Sequence, residues 1–329
     1  MTKKLDFFDR LQMITENYLT RRRKNIRIKK EKQKAKNIIL DWVESFIWAA
    51  GVVLLINQYL FQAYQIPSGS MIDTLLIRDR IFVNKLIFGP ELLPGIAKLP
   101  SPIKPKRNDV IIFENPSYIS RGPAFDIAQR IIYMLTFSFV DIDRDESGEP
   151  KAHFLIKRAV GWGGDHFISE KGELKIRFSG ETRWVDEREF NSGRNFNHNI
   201  SRLMEVNSYS VLESMGKLNA YRELALNPPQ NLVTQSAGFN MRYPDHFAYD
   251  RARLETLHAA QPYNNRYGVL LSRYKQGWYI PEGRVLPLGD NRDNSRDGRH
   301  FGPIQESKIL GKGFIIYWPI FEGRFGFIK

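Results

Sequence analysis

Apolar residues are distributed unevenly along the 329-residue chain. They run almost unbroken through residues 42–61, where FIWAAGVVLLI occupies 46–56, and the polar Glu44, Asn57 and Gln58 lie near the ends of the run. At about 1.5 Å per residue such a stretch covers a hydrocarbon core of roughly 30 Å, so the pattern predicts a transmembrane helix. Beyond it, apolar residues come in short β-branched and aromatic bursts bounded by polar and turn-forming residues. Those at 79–85, 109–113, 154–160 and 313–318 predict strands. Between the first two, Pro94, Pro100, Pro102 and Pro105 predict an extended loop.

Two stretches break this rhythm. Residues 124–140 (AFDIAQRIIYMLTFSFV) are strongly apolar, but 17 residues with Asp126 and Arg130 among them are short for a span, so a buried or interface-lying helix is expected. Residues 166–285 are polar, with helical apolar spacing at 209–226 and 247–260 and no recognisable chemistry. The expected fold class is mainly β, a β core with an inserted α+β domain behind an N-terminal transmembrane helix. The expected order is a basic arm (1–41), the span (42–61), a first part of the core (62–165) carrying the 124–140 helix, the inserted domain (166–285) and a second part of the core (286–329).

Charge sharpens the membrane reading. The formal net charge is +13, and residues 1–45 alone hold 13 Lys/Arg against 6 Asp/Glu. Basic residues ahead of a span stay on the cytoplasmic side, so everything after residue 61 should be exported. A basic arm is also a nucleic-acid footprint, but the apolar run directly behind it argues against nucleic acid as a partner. A cleaved signal peptide is disfavoured too: the basic prefix of about 40 residues is too long and Gln62-Ala63-Tyr64-Gln65 is a poor cleavage site. The absence of cysteine excludes disulfides, thiol catalysis and thiolate metal sites.

Three segments carry candidate chemistry. In an extended Ser68-Gly69-Ser70, residues two apart share a face, so one hydroxyl can attack while the other, with a backbone N–H, stabilises the oxyanion. A serine needs a base within reach. Lys157, flanked by Ile156 and by Ala159 and Val160, can serve if burial lowers its pKa. Arg158, one residue on, is expected on the opposite, exposed side of the strand. The third segment, 289–299, places three aspartates among three arginines, which favours ion pairs and turns over a metal site, and Ser295 offers a hydroxyl to orient the lysine. Gly-x-Ser-x-Gly and His-Glu-x-x-His are absent, and Ser70 is not followed by lysine three residues on. Asp141-x-Asp143-x-Asp145 lacks the glycine and glutamate of a calcium loop and is expected to be a solvated turn.

At these positions the chain resembles the bacterial type I signal peptidases, the membrane-bound Ser-Lys leader peptidases. The resemblance rests on PSGSM (67–71), IKRAVG (156–161) and GDNRDNSRDGRHFG (289–302) in family order, with a weaker match at RNDVIIF (107–113), under a fifth of the chain in all. It implies Ser70 as nucleophile, Lys157 as general base, and Ser68 with the Ser70 amide as oxyanion hole. It further implies that Ser295 orients Lys157 and that Asp297, Asp290, Arg158, Arg292 and Arg299 support them. The implied reaction is cleavage of secretory preproteins after small residues at −1 and −3 through an acyl-enzyme, with no metal and no cofactor. The implied setting is the bacterial plasma membrane, with a single pass, the N-terminus cytoplasmic and the catalytic part extracytoplasmic, among phospholipids and near the secretion translocon. Ile72-Asp73, Asn108 and Trp162-Gly163 depart from the family pattern, and the 124–140 segment is longer than the family leads one to expect. The soluble SOS-repressor autoproteases, also Ser-Lys peptidases, fit less well because of the basic arm and the span.

Overall fold

The computed structural model describes residues 7–35, 38–89, 91–93, 97–100, 103–145, 148, 151–194, 196, 198–237, 245–320 and 323–328. Lys36 of the basic arm and Pro94 and Pro102 of the Pro-rich connection lie outside them. The chain divides into two units, Met1–Val53 and Leu54–Lys329. Two helices begin it, α1 (Phe7–Ala35) and α2 (Ile38–Tyr59). Ile39–Tyr59, 21 residues, is long and apolar enough to cross a membrane. Trp42, Phe46 and Trp48 stand 74%, 74% and 71% exposed, as side chains meant for a non-aqueous surrounding would. The helix starts before residue 42 and stops before Phe61, because Phe61 already pairs with Asn84 in a strand.

After α2 come β1 (Phe61–Gln65), β2 (Arg80–Asn84), β3 (Glu91–Leu93), β4 (Ala97–Lys98) and β5 (Val110–Glu114), then α3 (Pro123–Leu135) and β6 (Phe154–Trp162). Next come β7 (His166–Glu170), β8 (Glu173–Arg177), β9 (Val185–Asp186) and α4 (Glu187–Ser192). They are followed by α5 (Tyr209–Glu223), α6 (Gln230–Ser236), α7 (His246–Ala260), α8 (Asn265–Gln276) and β10 (Trp278–Tyr279). The chain closes with β11 (Arg284–Leu288), α9 (Gly298–Phe301), β12 (Ile304–Gln305), β13 (Ile309–Trp318) and β14 (Gly326–Phe327).

The main sheet runs β1-β2-β13-β5-β6-β11-β12, with β14 paired to β13. Its β5 shows why a continuous apolar run suits this position. Val110 and Ile112 enter one core with Tyr64, Met71, Ile81 and Ile156, while Ile111 and Phe113 enter another with Phe88, Ala159, Val285 and Ile309. A strand buried on both faces needs apolar residues at every position rather than alternating ones.

The insert contributes a four-stranded sheet, β10-β7-β8-β9, and the helices α4 to α8. Leu254 and Leu257 of α7 pack with Ala220 of α5 and Leu271 of α8. The mainly-β expectation therefore describes only the main sheet: helices hold more of the described chain than strands do, because α1, α2 and the insert are helical. The insert also shares its core with the main sheet. Phe167, Leu174, Ile176 and Phe247 pack against Val160 of β6 and Leu286 and Leu288 of β11.

Two local expectations need correction. Helix α3 is 13 residues long, starting at Pro123 and ending where Phe137 and Ser138 turn the chain at φ of 49° and 64°. It is shorter than the 124–140 run, turns Gln129 and Met134 inward, and leaves Ile127 and Ile131 exposed. Asp143 is not in a solvated turn. It is fully buried, held by Arg121 Nε at 3.0 Å, Tyr118 Oη at 3.0 Å and His153 Nε2 at 2.8 Å.

Candidate active site

After β1 the chain stays extended at Ser68 (φ −137°, ψ 159°) and then bends into one 3-10 turn, Gly69–Met71. The expected straight Ser68-Gly69-Ser70 is thus broken at Gly69. The cause is the core: Met71 and Leu75 are 1% and 0% exposed, and the Leu75 amide donates to the Met71 carbonyl at 2.8 Å. Burying both in one short segment requires a turn. The bend leaves Ser70 buried and Ser68 exposed, with their Oγ atoms 3.4 Å apart.

Lys157 lies on β6 opposite Ile111 and is 4% exposed. Its Nζ sits 2.7 Å from Ser70 Oγ and 3.0 Å from the Ile156 carbonyl oxygen. Burial pulls its pKa from the ordinary 10.5 down to about 8, against the opposing pull of the Asp297 and Asp290 charges. An amine in that state, in direct contact with a hydroxyl, can take the hydroxyl proton near neutral pH.

The hydrogen bond expected from Ser295 to Lys157 is not formed. Ser295 Oγ is buried with no hydrogen-bond partner, and Lys157 Nζ is already engaged with Ser70 and the Ile156 carbonyl. Ser295 nonetheless closes on the turn, because a Cβ at Gly289 would stand 2.2 Å from Ser295 Oγ and 2.5 Å from the Ser70 carbonyl oxygen. Glycine is needed there for the close approach alone. Gly289→Ala should destabilise the protein by about 1–3 kcal/mol, read by thermal unfolding in detergent, since the Ser70 backbone cannot move aside as a flexible side chain would.

The acidic string 289–299 is an ion-pair network. Each aspartate takes a different arginine: Asp290 pairs with Arg158, Asp293 with Arg202 and Asp297 with Arg299. Arg158 is not exposed as the alternation argument expected. Both it and Asp290 are 0% exposed, because Arg158 Nε and Nη2 donate to the two Asp290 oxygens at 2.8 and 2.7 Å. Its Nη1 donates to the Asn108 carbonyl at 2.7 Å, and Thr74 Oγ1 donates to Asp290 at 2.5 Å. Burial pushes the Asp290 pKa up, but the Arg158 hydrogen bonds and charge outweigh it and hold the carboxyl below its ordinary range. Asp297 follows the same logic, burial opposed by Arg299 and by the Gly289 amide, which donates to it at 3.0 Å.

Three residues outside the expected set belong to the site. Asn291 grips the nucleophile turn: its amide donates to the Ser70 carbonyl at 3.1 Å and its Nδ2 to the Gly69 carbonyl at 3.0 Å. Glu187 of the insert accepts from both Nη atoms of Arg292, at 2.5 and 2.7 Å. His198 lies beside the buried pair, Nε2 3.9 Å from Asp290; burial and the Arg158 charge pull it down to about 4, so it is neutral at physiological pH.

A family model described as "Signal peptidase, peptidase S26" matches residues 39–318. The signal peptidase I of Buchnera aphidicola subsp. Acyrthosiphon pisum is 25% identical over 296 residues, 89% of this chain and 79% of that protein. That of Haemophilus influenzae is 26% identical over 286 residues, 85% of this chain and 70% of that protein. That of Pseudomonas aeruginosa is 25% identical over 310 residues, 88% of this chain and 76% of that protein. The family match takes in most of α2, the Ser70 turn, the Lys157 strand and the 289–302 loop that joins them. The chain belongs to the signal peptidase family, peptidase S26.

Proposed function

We propose that this protein is a membrane-anchored serine endopeptidase that removes signal peptides from exported preproteins, with Ser70 as nucleophile and Lys157 as its general base. The observation that carries the reading is the 2.7 Å contact between a buried lysine amine and a buried serine hydroxyl. Neutral Lys157 accepts the Ser70 proton as Oγ attacks the carbonyl carbon of the −1 residue, in a substrate with small residues at −3 and −1. The Ser68 hydroxyl and the Ser70 amide donate to the oxyanion. The Lys157 ammonium then gives its proton to the departing amine, leaving an ester on Ser70. A water, deprotonated by Lys157, hydrolyses that ester and releases the signal peptide. Lys157 is oriented by the Ile156 carbonyl, which accepts from its Nζ at 3.0 Å, and Arg158, Asp290, Arg292, Asp297 and Arg299 hold the loop that frames the pair.

In this reading the basic arm is cytoplasmic, α2 (Ile38–Tyr59) crosses the plasma membrane once, and the catalytic parts with the 166–285 insert lie outside. The partners are preproteins and phospholipids, with the translocon nearby, and nucleic acid is not among them. From Phe61 to Ser70 the chain can reach at most about 30 Å even fully extended, which keeps the reaction at the membrane surface where a signal peptide ends.

The test is cleavage of a preprotein with an Ala-x-Ala site by detergent-solubilised wild type and Ser70→Ala, with the product N-terminus sequenced. Wild type should cut after the second alanine, and Ser70→Ala should lose activity on the order of 10⁴-fold or more. Equal cleavage by both would remove Ser70 from the role of nucleophile.

A further inference from the structure

The loop that frames the reacting pair is held from two sides. Toward the nucleophile, Asn291 donates to the Ser70 and Gly69 carbonyls. Away from it, the insert takes hold of the adjoining residues. Ser201 N donates to the Asp290 carbonyl at 2.9 Å and Arg292 N to the Ser201 carbonyl at 3.1 Å. Asp293 accepts from Arg202 Nε at 3.0 Å and from the amides of Leu203 and Met204 at 2.7 and 2.9 Å.

Arg292 is the innermost of these contacts. Its side chain is 1% exposed, its two Nη atoms donate to Glu187, and its Nε donates to the Gly289 carbonyl at 3.0 Å. The Gly289 amide is held by Asp297. Gly289, where any side chain would collide with the Ser70 carbonyl, is therefore fixed at both its carbonyl and its amide, and the carboxylate behind one of those holds comes from α4 of the insert.

We propose that Glu187 is a positioning residue for the cleavage reaction, setting the Ser70 turn against Lys157 through Arg292 and the Gly289 carbonyl. This deepens the Ser70–Lys157 reading and rests on it. A buried guanidinium that loses its carboxylate is strongly destabilising. Deprived of Glu187, Arg292 is left with the charges of Asp297 and Asp290, which already serve Arg299 and Arg158. Turning to either draws Gly289 out of place, and a misplacement of about 1 Å can cost about a hundredfold in rate.

The experiment compares kcat and KM of full-length wild type, Glu187→Gln, Glu187→Asp, Glu223→Gln and Ser70→Ala on one Ala-x-Ala preprotein. Each rate is normalised to the fraction folded by thermal unfolding. Glu187→Gln should lower kcat about tenfold to a hundredfold with KM within about twofold, because the Glu187 side chain is buried against Arg292 behind the loop. Glu187→Asp, which keeps the charge on a shorter arm, should recover part of the loss. Glu223 pairs with Arg253 on neighbouring helices of the insert and does not touch the loop, so Glu223→Gln should keep the wild-type kcat. A folded Glu187→Gln with wild-type kcat overturns the proposal, and so does an equal loss in Glu223→Gln. If Glu187→Gln does not fold, Glu187→Asp decides, and an unchanged kcat there overturns it. Cleavage by Ser70→Ala at the wild-type rate would instead defeat the underlying Ser-Lys reading, whatever Glu187 does.

Discussion

Lys157→Met is expected to lower cleavage by on the order of 10²–10⁴-fold and, at neutral pH, to make the protein more stable rather than less. Both effects have one cause. Burial holds the lysine pKa at about 8 instead of 10.5. On the proposed reading the neutral amine is the base, so wild-type activity should climb as pH rises through about 8, and the residual activity of the variant should lack that climb. For stability, the unfolded lysine keeps its proton up to 10.5 and the folded one only up to about 8. Between those values the unfolded state binds more protons, so wild-type stability rises with pH across that window. Below it the fold carries the full cost of desolvating an ammonium, about 3 kcal/mol for a shift of this size. Methionine carries no such cost. Thermal unfolding of both proteins at about pH 7 and about pH 10 checks this: Lys157→Met should unfold at the higher temperature at pH 7, with the gap closing at pH 10. Wild-type activity in the variant would remove Lys157 as base, and a lower unfolding temperature at pH 7 would remove the burial argument.

Asp290→Asn should be the most destabilising conservative change in the site, by about 3–5 kcal/mol, because it removes the charge of the carboxylate that receives two hydrogen bonds from the buried Arg158 guanidinium. A drop on the order of 10 °C in unfolding temperature is expected. The informative companion is Arg158→Met with Asp290→Leu. Removing both charges also removes the desolvation cost, so the double variant should recover most of the stability. A double variant no more stable than Asp290→Asn would show that Thr74 and the Asn108 carbonyl, rather than charge balance, dominate the energetics. The Asp290 pKa is held below its ordinary range, so the pair contributes fully above that range. Its contribution fades only as acid passes through the depressed value.

What could be read in the sequence was local. Ser70 and Lys157 stood out because each lies in a short contiguous string whose flanks reveal its setting, and both strings fold into the elements that bring the two side chains together. The strands at 79–85 and 109–113 were legible for the same reason, since a β-branched run carries its own signal. Arg158 was misjudged because alternation tells which side of a strand a residue faces but not whether that side is covered. Its cover is Asp290, 132 residues away. Glu187 could not have been found at all: Arg292 announces the need for a carboxylate, but nothing near it in sequence says which one answers from 105 residues off. The predominance of helix was missed because it lies in α1, α2 and a polar insert, where packing among helices rather than a motif defines the elements.

The sheet order also sets when this chain can become an enzyme. Ser70 follows β1, whose partner is β2, and Lys157 lies on β6, whose partner is β5; the strand that joins these two hairpins is β13. The loop that grips the Ser70 carbonyl follows β11, also late in the chain. Contacts of such sequence separation are the slow ones to form, and until residues 284–318 arrive the two halves of the reacting pair have no common backbone ladder. On the proposed topology, in which the catalytic part follows its anchor across the membrane, that order keeps the protease silent through its own passage. Its first competent moment is expected after its last long strand is in place, and a chain interrupted short of Ile309 is expected to be inert instead of unsupervised.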